Sequence, residues 1–454
     1  MRNTSTRNEG FLTNHAAMPV QSFPVEIYLM IIYDIFNSQK LICHTFQHSD
    51  RLLHQLQAVR TQRLAWFHTL ACVCKAWADP ARTAFWTEVT LFTAQEIIAF
   101  AREIRSNSAK PACIRRLSFR LPSQPHHHPL PPDYDIMKEQ AQRSLLVILR
   151  RLPAHLDLFS VNCDERHYVS EDILYDSLKV ACMDGNIPEI DITRLDIDSP
   201  PGIQRYDIFR YFTFARNIVH LVLLVSCSDF QECTNPIPPM QLESLVLHVD
   251  FAGGTGYRLM TIAAGCMARM LQPACTMLQF LTLNLRGYDD TSTNILITAI
   301  NEFLSLGSPS MSVLDLCAIP VYGFMAVAQE LAGGGAFPPC PALRRLHLDQ
   351  FDVSPNIFQR MCCSALRQLE VTVTEIDATP TRDGVGTMWK IMNSLELKEL
   401  NNLEDLIIHF GKGETLESDK FMSRGPLTGT ERVWEPLKRA CAVRNINCII
   451  YHPD

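Results

Sequence analysis

One short pattern recurs along most of this chain: an apolar residue, two variable positions, a leucine, one variable position and a second apolar residue. Ile114-Arg-Arg-Leu117-Ser-Phe119 is the first copy, and Pro153-Ala-His-Leu156-Asp-Leu158 is a weaker one. Ile192-x-x-Leu195-x-Ile197, Ile218-x-x-Leu221-x-Leu223, Leu242-x-x-Leu245-x-Leu247, Leu278-x-x-Leu281-x-Leu283 and Met311-x-x-Leu314-x-Leu316 continue the series. Leu343-x-x-Leu346-x-Leu348, Leu366-x-x-Leu369-x-Val371 and Leu403-x-x-Leu406-x-Ile408 complete it. The alternation at its end is that of a strand with one buried face. The spacing is irregular: 24 residues from Leu221 to Leu245, 33 from Leu281 to Leu314 and 39 from Leu117 to Leu156.

Helical patterns fill the intervals, over 135–152, 170–183, 257–271, 292–306 and 357–363. Ser170 can cap the second of these, with Glu171 and Asp172 in its first turn and Gly185 just beyond its end. A strand-plus-helix unit cannot bury its apolar face alone, so copies must stack. The expectation for residues 112–454 is an α/β fold: an irregular repeat solenoid with parallel strands on the concave side and helices on the convex side. Residues 447–451 are its closing strand.

Composition removes several function classes. Hydrophobic residues make up 47% and charged residues 20%, so a large core is available and wholesale disorder is excluded. The 41 Lys+Arg against 48 Asp+Glu, net charge -7, give no basic domain for nucleic acid. No run of about 18 apolar residues is present to span a membrane. Residues 1–20 read as a disordered start without a signal peptide. The 16 Cys include no Cys-x-x-Cys pair and sit mostly in apolar segments, as reduced, buried thiols in the cytoplasm or nucleus would.

The N-terminal part differs from the repeats. Residues 23–36 have helical spacing, with Pro24 suited to a first turn. A polar stretch, 37–63, separates them from a second helix over 64–78, which Asp79-Pro80 is expected to end. A short strand follows at 89–91. Thr93-Ala-Gln-Glu96 is a capping box opening a helix to about Arg105. The boundaries are therefore 21–92 for an N-terminal helical module with 37–63 inserted, and 93–111 for a connecting helix.

Phe23-Pro24-Val25-Glu26-Ile27, followed by Leu70-Ala-Cys-Val73-Cys-Lys-Ala-Trp77-Ala-Asp-Pro, resembles the F-box of fungal F-box proteins, especially those of mushrooms. Those commonly read Leu-Pro-x-Glu-Ile, then Leu-x-x-Val-Cys-Arg/Lys-x-Trp, then a short strand. Phe23 stands where the family has Leu, and 37–63 is longer than the family's connection. The repeats agree with the F-box plus leucine-rich-repeat architecture. The resemblance implies the substrate receptor of a Skp–cullin–F-box ubiquitin ligase. Phe23, Pro24, Val25, Ile27, Ile31, Leu70, Val73 and Trp77 would then meet a Skp-family adaptor and, through it, a cullin. An F-box is too small for a strong core of its own, which leaves apolar helix faces for such an adaptor to cover. The alternative is a repeat scaffold whose degenerate F-box binds no adaptor.

The strand face supplies the second set of candidates. Residues flanking the leucines alternate outward, which puts Arg116, Arg194, Asp198, His248, Asn284, Arg286, Arg345, His347 and Asp349 on the concave side, along with Asp315, Glu370 and His409. Their mixed signs suit a protein substrate. Other clusters are weaker. His126-His127-His128 lies in a proline-rich loop where three adjacent rings cannot easily converge on one ion, and His44 and His48 have no third ligand. Gly253-Gly-Thr-Gly256 lacks the lysine and spacing of a phosphate loop. Cys362-Cys363 fits helix packing. No catalytic constellation, metal site or cofactor site is readable, so the expectation is a binding protein rather than an enzyme.

Overall fold

The structure is a computed structural model. It describes residues 69, 72, 75–91, 94–106, 111–121, 134–163, 190–198, 215–226, 240–250, 268, 271–286, 303–304, 306, 309–319, 338–349, 355–374, 387–411 and 430–451. The chain divides into two compact units, Met1–Glu88 and Val89–Asp454.

In the first unit the described element is helix α1, Lys75–Thr87, which runs through Pro80. The expected stop at Asp79-Pro80 does not occur. Proline removes one backbone bond of the helix, but Pro80, Ala81 and Ala84 are all buried. Burying that stripe outweighs the lost bond. Residues 23–36 and the 37–63 stretch lie outside the described residues.

The second unit is α/β. Its strands are β1 (Glu88–Leu91), β2 (Arg116–Leu121), β3 (His155–Cys163), β4 (Ile190–Asp198), β5 (Ala215–Arg216), β6 (His220–Ser226) and β7 (Ser244–Asp250). They continue with β8 (Phe280–Arg286), β9 (Val313–Ile319), β10 (Arg345–Asp349), β11 (Gln368–Thr374), β12 (Asp405–Gly411) and β13 (Asn447–Tyr451). Between them lie helices α2 (Ala94–Ser106), α3 (Tyr134–Arg150), α4 (Pro355–Met361), α5 (Thr387–Leu395) and α6 (Thr430–Val443). The strands form one sheet in chain order, with only the two-residue β5 set aside against β4.

From β2 to β13 each neighbouring pair is parallel. Parallel neighbours need crossovers, and crossovers between sequential parallel strands are right-handed.

Register aligns the repeats into columns. Leu195, Leu221, Leu245, Leu281, Leu314, Leu346, Leu369 and Leu406 follow one another across the sheet, and all are buried. A second buried column runs through Ile197, Leu223, Leu247, Leu283, Leu316, Leu348, Val371 and Ile408. The weak second copy of the motif is shifted by three residues from the expected frame. Phe159 aligns with Leu117 and Leu195, and Val161 with Phe119 and Ile197. Leu156 is the first apolar position, not the central one.

The backbone repeats the same frame. The carbonyl two residues before each central position accepts N–H groups from the next strand. Arg115 O takes Asp157 and Leu158, Val219 O takes Glu243 and Ser244, Arg344 O takes Arg367 and Gln368, and Arg367 O takes Glu404 and Asp405. Aromatic and β-branched residues at 159 and 161 fill the space that leucines fill elsewhere, and Phe119 and Phe159 meet edge to face at 5.9 Å.

Helix α6 ends in a Schellman turn. Asn445 takes φ 58°, Ile446 N–H bonds Cys441 O at 2.9 Å and Asn445 N–H bonds Ala442 O at 3.2 Å. Asparagine tolerates this left-handed backbone better than most residues. The turn feeds β13, which closes the sheet.

Candidate functional site

Three columns of side chains leave the sheet on the face opposite the leucines. The first includes Arg116, Leu158, Arg194, His220, Ser244, Phe280, Val313, Arg345, Gln368 and Asp405. The second passes from Asp196 through Thr282, Asp315, His347 and Glu370 to Ile407. The third includes His248, Asn284, Cys317, Asp349, Thr372, His409 and Tyr451. Arg116, Arg194, His248, Asn284, Arg345, His347 and Asp349 stand on this face in surroundings that differ, while the side chains of Asp198 and Arg286 lie outside those described.

At the β2–β4 end one ion pair lies within a single strand. Arg116 is half-buried. Arg194 donates from Nε to Asp196 Oδ1 at 2.8 Å, two residues along the same strand. Asp198 ends β4. His248 on β7 is only 8% exposed, so it is part of the packing rather than an accessible contact residue. Arg286 ends β8 in register with Asp250 and Ile319.

Across β9–β13 the polar side chains form a network. Arg345 Nη2 donates to Glu370 Oε2 at 2.9 Å, and His409 Nε2 donates to Glu370 Oε1 at 2.7 Å. A carboxylate can only accept, so this bond fixes the proton of His409 on Nε2. The His409 ring stacks on Tyr451 at 5.0 Å, 7° from parallel. Burial raises the Glu370 carboxyl pKa, but the nearby His347 and the hydrogen bonds from His409 and Arg345 outweigh it and hold the group below its ordinary value. His347 Nε2 lies 3.3 Å from Thr372 Oγ1, and its Nδ1 is 4.0 Å from Asp315 Oδ1.

No protein-family model matches the chain, and no curated protein matches it. The site therefore rests on its own geometry. Among the described residues no group of three His, Cys, Asp or Glu side chains could hold a metal ion, and no described helix is long and apolar enough to cross a membrane. On the strand face Arg345 is 45% exposed and Phe280 43%.

Of the predicted adaptor-contact residues, Trp77 is described, half-buried in α1. Phe23, Pro24, Val25, Ile27, Ile31, Leu70 and Val73 lie outside the described residues, as do His44, His48, the 126–128 histidines and Gly253–Gly256. Cys362 is exposed in the turn after α4 and Cys363 is buried.

Sequence reasoning missed Thr372, Cys317, Phe280 and Tyr451 on the strand face. The signal is present in the sequence, since each falls at an outward position of its strand.

Proposed function

We propose that this chain is the substrate-recognition subunit of a Skp–cullin–F-box type ubiquitin ligase, without catalytic chemistry of its own. The 21–92 segment docks a Skp-family adaptor through the Phe23-Pro24-Val25-Glu26-Ile27 and Leu70-x-x-Val73 motifs. The sheet unit, a leucine-rich-repeat-like solenoid, binds a protein substrate on its outward strand face. The observation that carries the reading is the row of half-exposed polar side chains on β9–β12, held on a stack of parallel strands whose other face is fully apolar. Such a surface offers many weakly differing contact positions, which suits protein recognition rather than a reaction centre. Its cysteine usage suits the reducing cytoplasm or nucleus.

The test is affinity purification of the full chain with mass spectrometry, with and without proteasome inhibition. The wild type is expected to bring down a Skp-family adaptor and a cullin. Pro24→Ala combined with Val73→Asp is expected to lose both, since burying an unpaired carboxylate at the adaptor contact costs several kcal/mol. Adaptor capture by the folded double variant at wild-type level would overturn the reading. The long 37–63 connection favours one second reading, a scaffold whose F-box engages no adaptor; wild-type chain that captures partners but no adaptor would support it.

A further inference from the structure

The outward face of β8–β10 holds acceptors without donors. Asn284 Oδ1, Asp315 Oδ1 and Asp349 Oδ1 are each withdrawn from water and have no hydrogen-bond partner. They stand on three successive strands, and Asn284 and Asp349 flank Cys317 in one register column. The other oxygens of the two carboxylates are occupied: Thr282 Oγ1 donates to Asp315 Oδ2 at 3.2 Å, and Cys317 Sγ to Asp349 Oδ2 at 3.1 Å. The nearest cationic candidate to Asp315 Oδ1 is His347 Nδ1, at 4.0 Å, beyond hydrogen-bonding reach. A buried acceptor left unpaired is costly, and three on neighbouring strands require an explanation. All three side chains are half-exposed as wholes, so each presents accessible surface on the outward face beside its unpaired oxygen.

Charge and shape agree with the missing donors. Over β9–β11 the outward carboxylates are Asp315, Asp349 and Glu370, and the outward cation is Arg345, already bonded to Glu370. One positive against three negative charges leaves -2 with the histidines neutral. Phe280 lies on the same strand as Thr282 and Asn284, 43% exposed, with Val313 beside it in register. An exposed aromatic ring next to unpaired anionic acceptors is a surface for a cation with an apolar stem.

We infer that the β8–β10 face receives an arginine-bearing basic segment of a partner protein. The side-chain stem lies along Phe280 and Val313, and its donors go to Asp315, Asp349 and Asn284. Arginine fits better than lysine. Neighbouring strands stand about 4.8 Å apart, so the acceptors are spread across the sheet. A planar guanidinium with five fixed donors reaches several of them and stacks on the ring, where a compact ammonium reaches fewer. This inference rests on the strand face being the recognition surface, but not on adaptor binding.

The probe is a set of labelled nine-residue peptide pools, degenerate except for a central arginine, lysine, citrulline or glutamate, titrated against the full chain at fixed salt. Citrulline keeps the shape of arginine and removes its charge. The arginine pool is expected to bind roughly tenfold or more tighter than the citrulline pool, and the glutamate pool weakest. Asp315→Asn and Asp349→Asn, which conserve volume, are each expected to shrink the arginine preference severalfold. Phe280→Leu is expected to lower it without abolishing it. Equal binding of the four pools, binding of none, or a preference untouched by both aspartate substitutions would overturn the inference. The wild-type comparison needs no variant, so misfolding cannot mask the answer. Adaptor capture is scored on the same preparations. Loss of adaptor binding with the arginine preference intact would sink the ligase reading alone, and the reverse would sink only this inference.

Discussion

Glu370→Gln tests whether the β10–β12 network is a structural unit. The wild-type carboxylate is 14% exposed and accepts from both Arg345 and His409. Glutamine keeps one acceptor oxygen and places an NH2 against the other donor, so one partner is lost. A hydrogen bond to a charged group contributes about 1.5–3 kcal/mol. Arg345 is 45% exposed and His409 36%, so water re-solvates whichever donor is released, and an exposed ion pair is worth ~1 kcal/mol or less. The expected loss is therefore about 1–2 kcal/mol.

In a stack where each unit touches only its neighbours, that loss stays local. The assay is native-state hydrogen exchange: amides of β10–β12 should exchange roughly 5–30 times faster, and those of β2–β4 at the wild-type rate. The folded carboxyl pKa lies below its unfolded value, so its stabilisation is complete above the ordinary glutamate range near ~4.3 and is lost as pH falls through the lowered folded value. The two proteins should accordingly converge in acid. Identical exchange at neutral pH, a change spread over the whole sheet, or a difference that survives full protonation of the carboxyl would refute the reasoning.

Two further outcomes follow from the register and the thiols. Phe159→Ala should cost about 3–5 kcal/mol in a denaturant melt, since Phe159 is a buried column residue, whereas Leu158→Ala, half-exposed on the other face, should stay within roughly 1 kcal/mol of wild type; the reverse order would mean that the β3 frame is wrong. Burial pushes the Cys275, Cys340 and Cys363 thiols up to about 12, so they should resist iodoacetamide in the native protein at pH 8. Among the described cysteines the exposed Cys72 and Cys362 should be alkylated first, as read by peptide mass spectrometry.

Much of the sheet was legible in the sequence because one face of every strand must be apolar at fixed positions. Nine of the ten motif copies fall in register as written. The tenth slipped because Phe159 and Val161 carry the buried role without leucine, while Leu156 and Leu158 imitate the pattern three residues early. Helices α2, α3 and α4 were foreseen to within a few residues. Helices α5 and α6 were not, because Lys390 and Ser394 dilute the apolar pattern of α5 and Pro436 reads as a helix breaker in α6. Trp434, Leu437 and Cys441 are nonetheless buried at helical spacing on α6. Pro80 misled in the opposite direction, since tertiary burial overrode a local breaker. On the outward face alternation gave the direction of each residue. It could not give the partners, because Arg345, Glu370 and His409 meet across strands 25 and 39 residues apart in sequence.

The outward columns are free to vary because the inward ones are already committed. A leucine column tolerates little change: each buried member contributes about 1.5–3 kcal/mol and touches the next strand's equivalent. The same register lets the outward position beside it vary freely, since its side chain is not needed to close the core. Connections of different length leave the columns intact, because the ladder bonds from Arg115, Val219, Arg344 and Arg367 set each strand against the next whatever lies between. Where outward groups satisfy one another, as Arg194 with Asp196 and Arg345 with Glu370, they add local stability. Where they do not, as at Asn284, Asp315 and Asp349, the unpaired acceptors raise the energy of the unbound sheet. A partner that supplies the donors recovers that energy on binding. That gain is the reason the proposed arginine site lies on this stretch of the face.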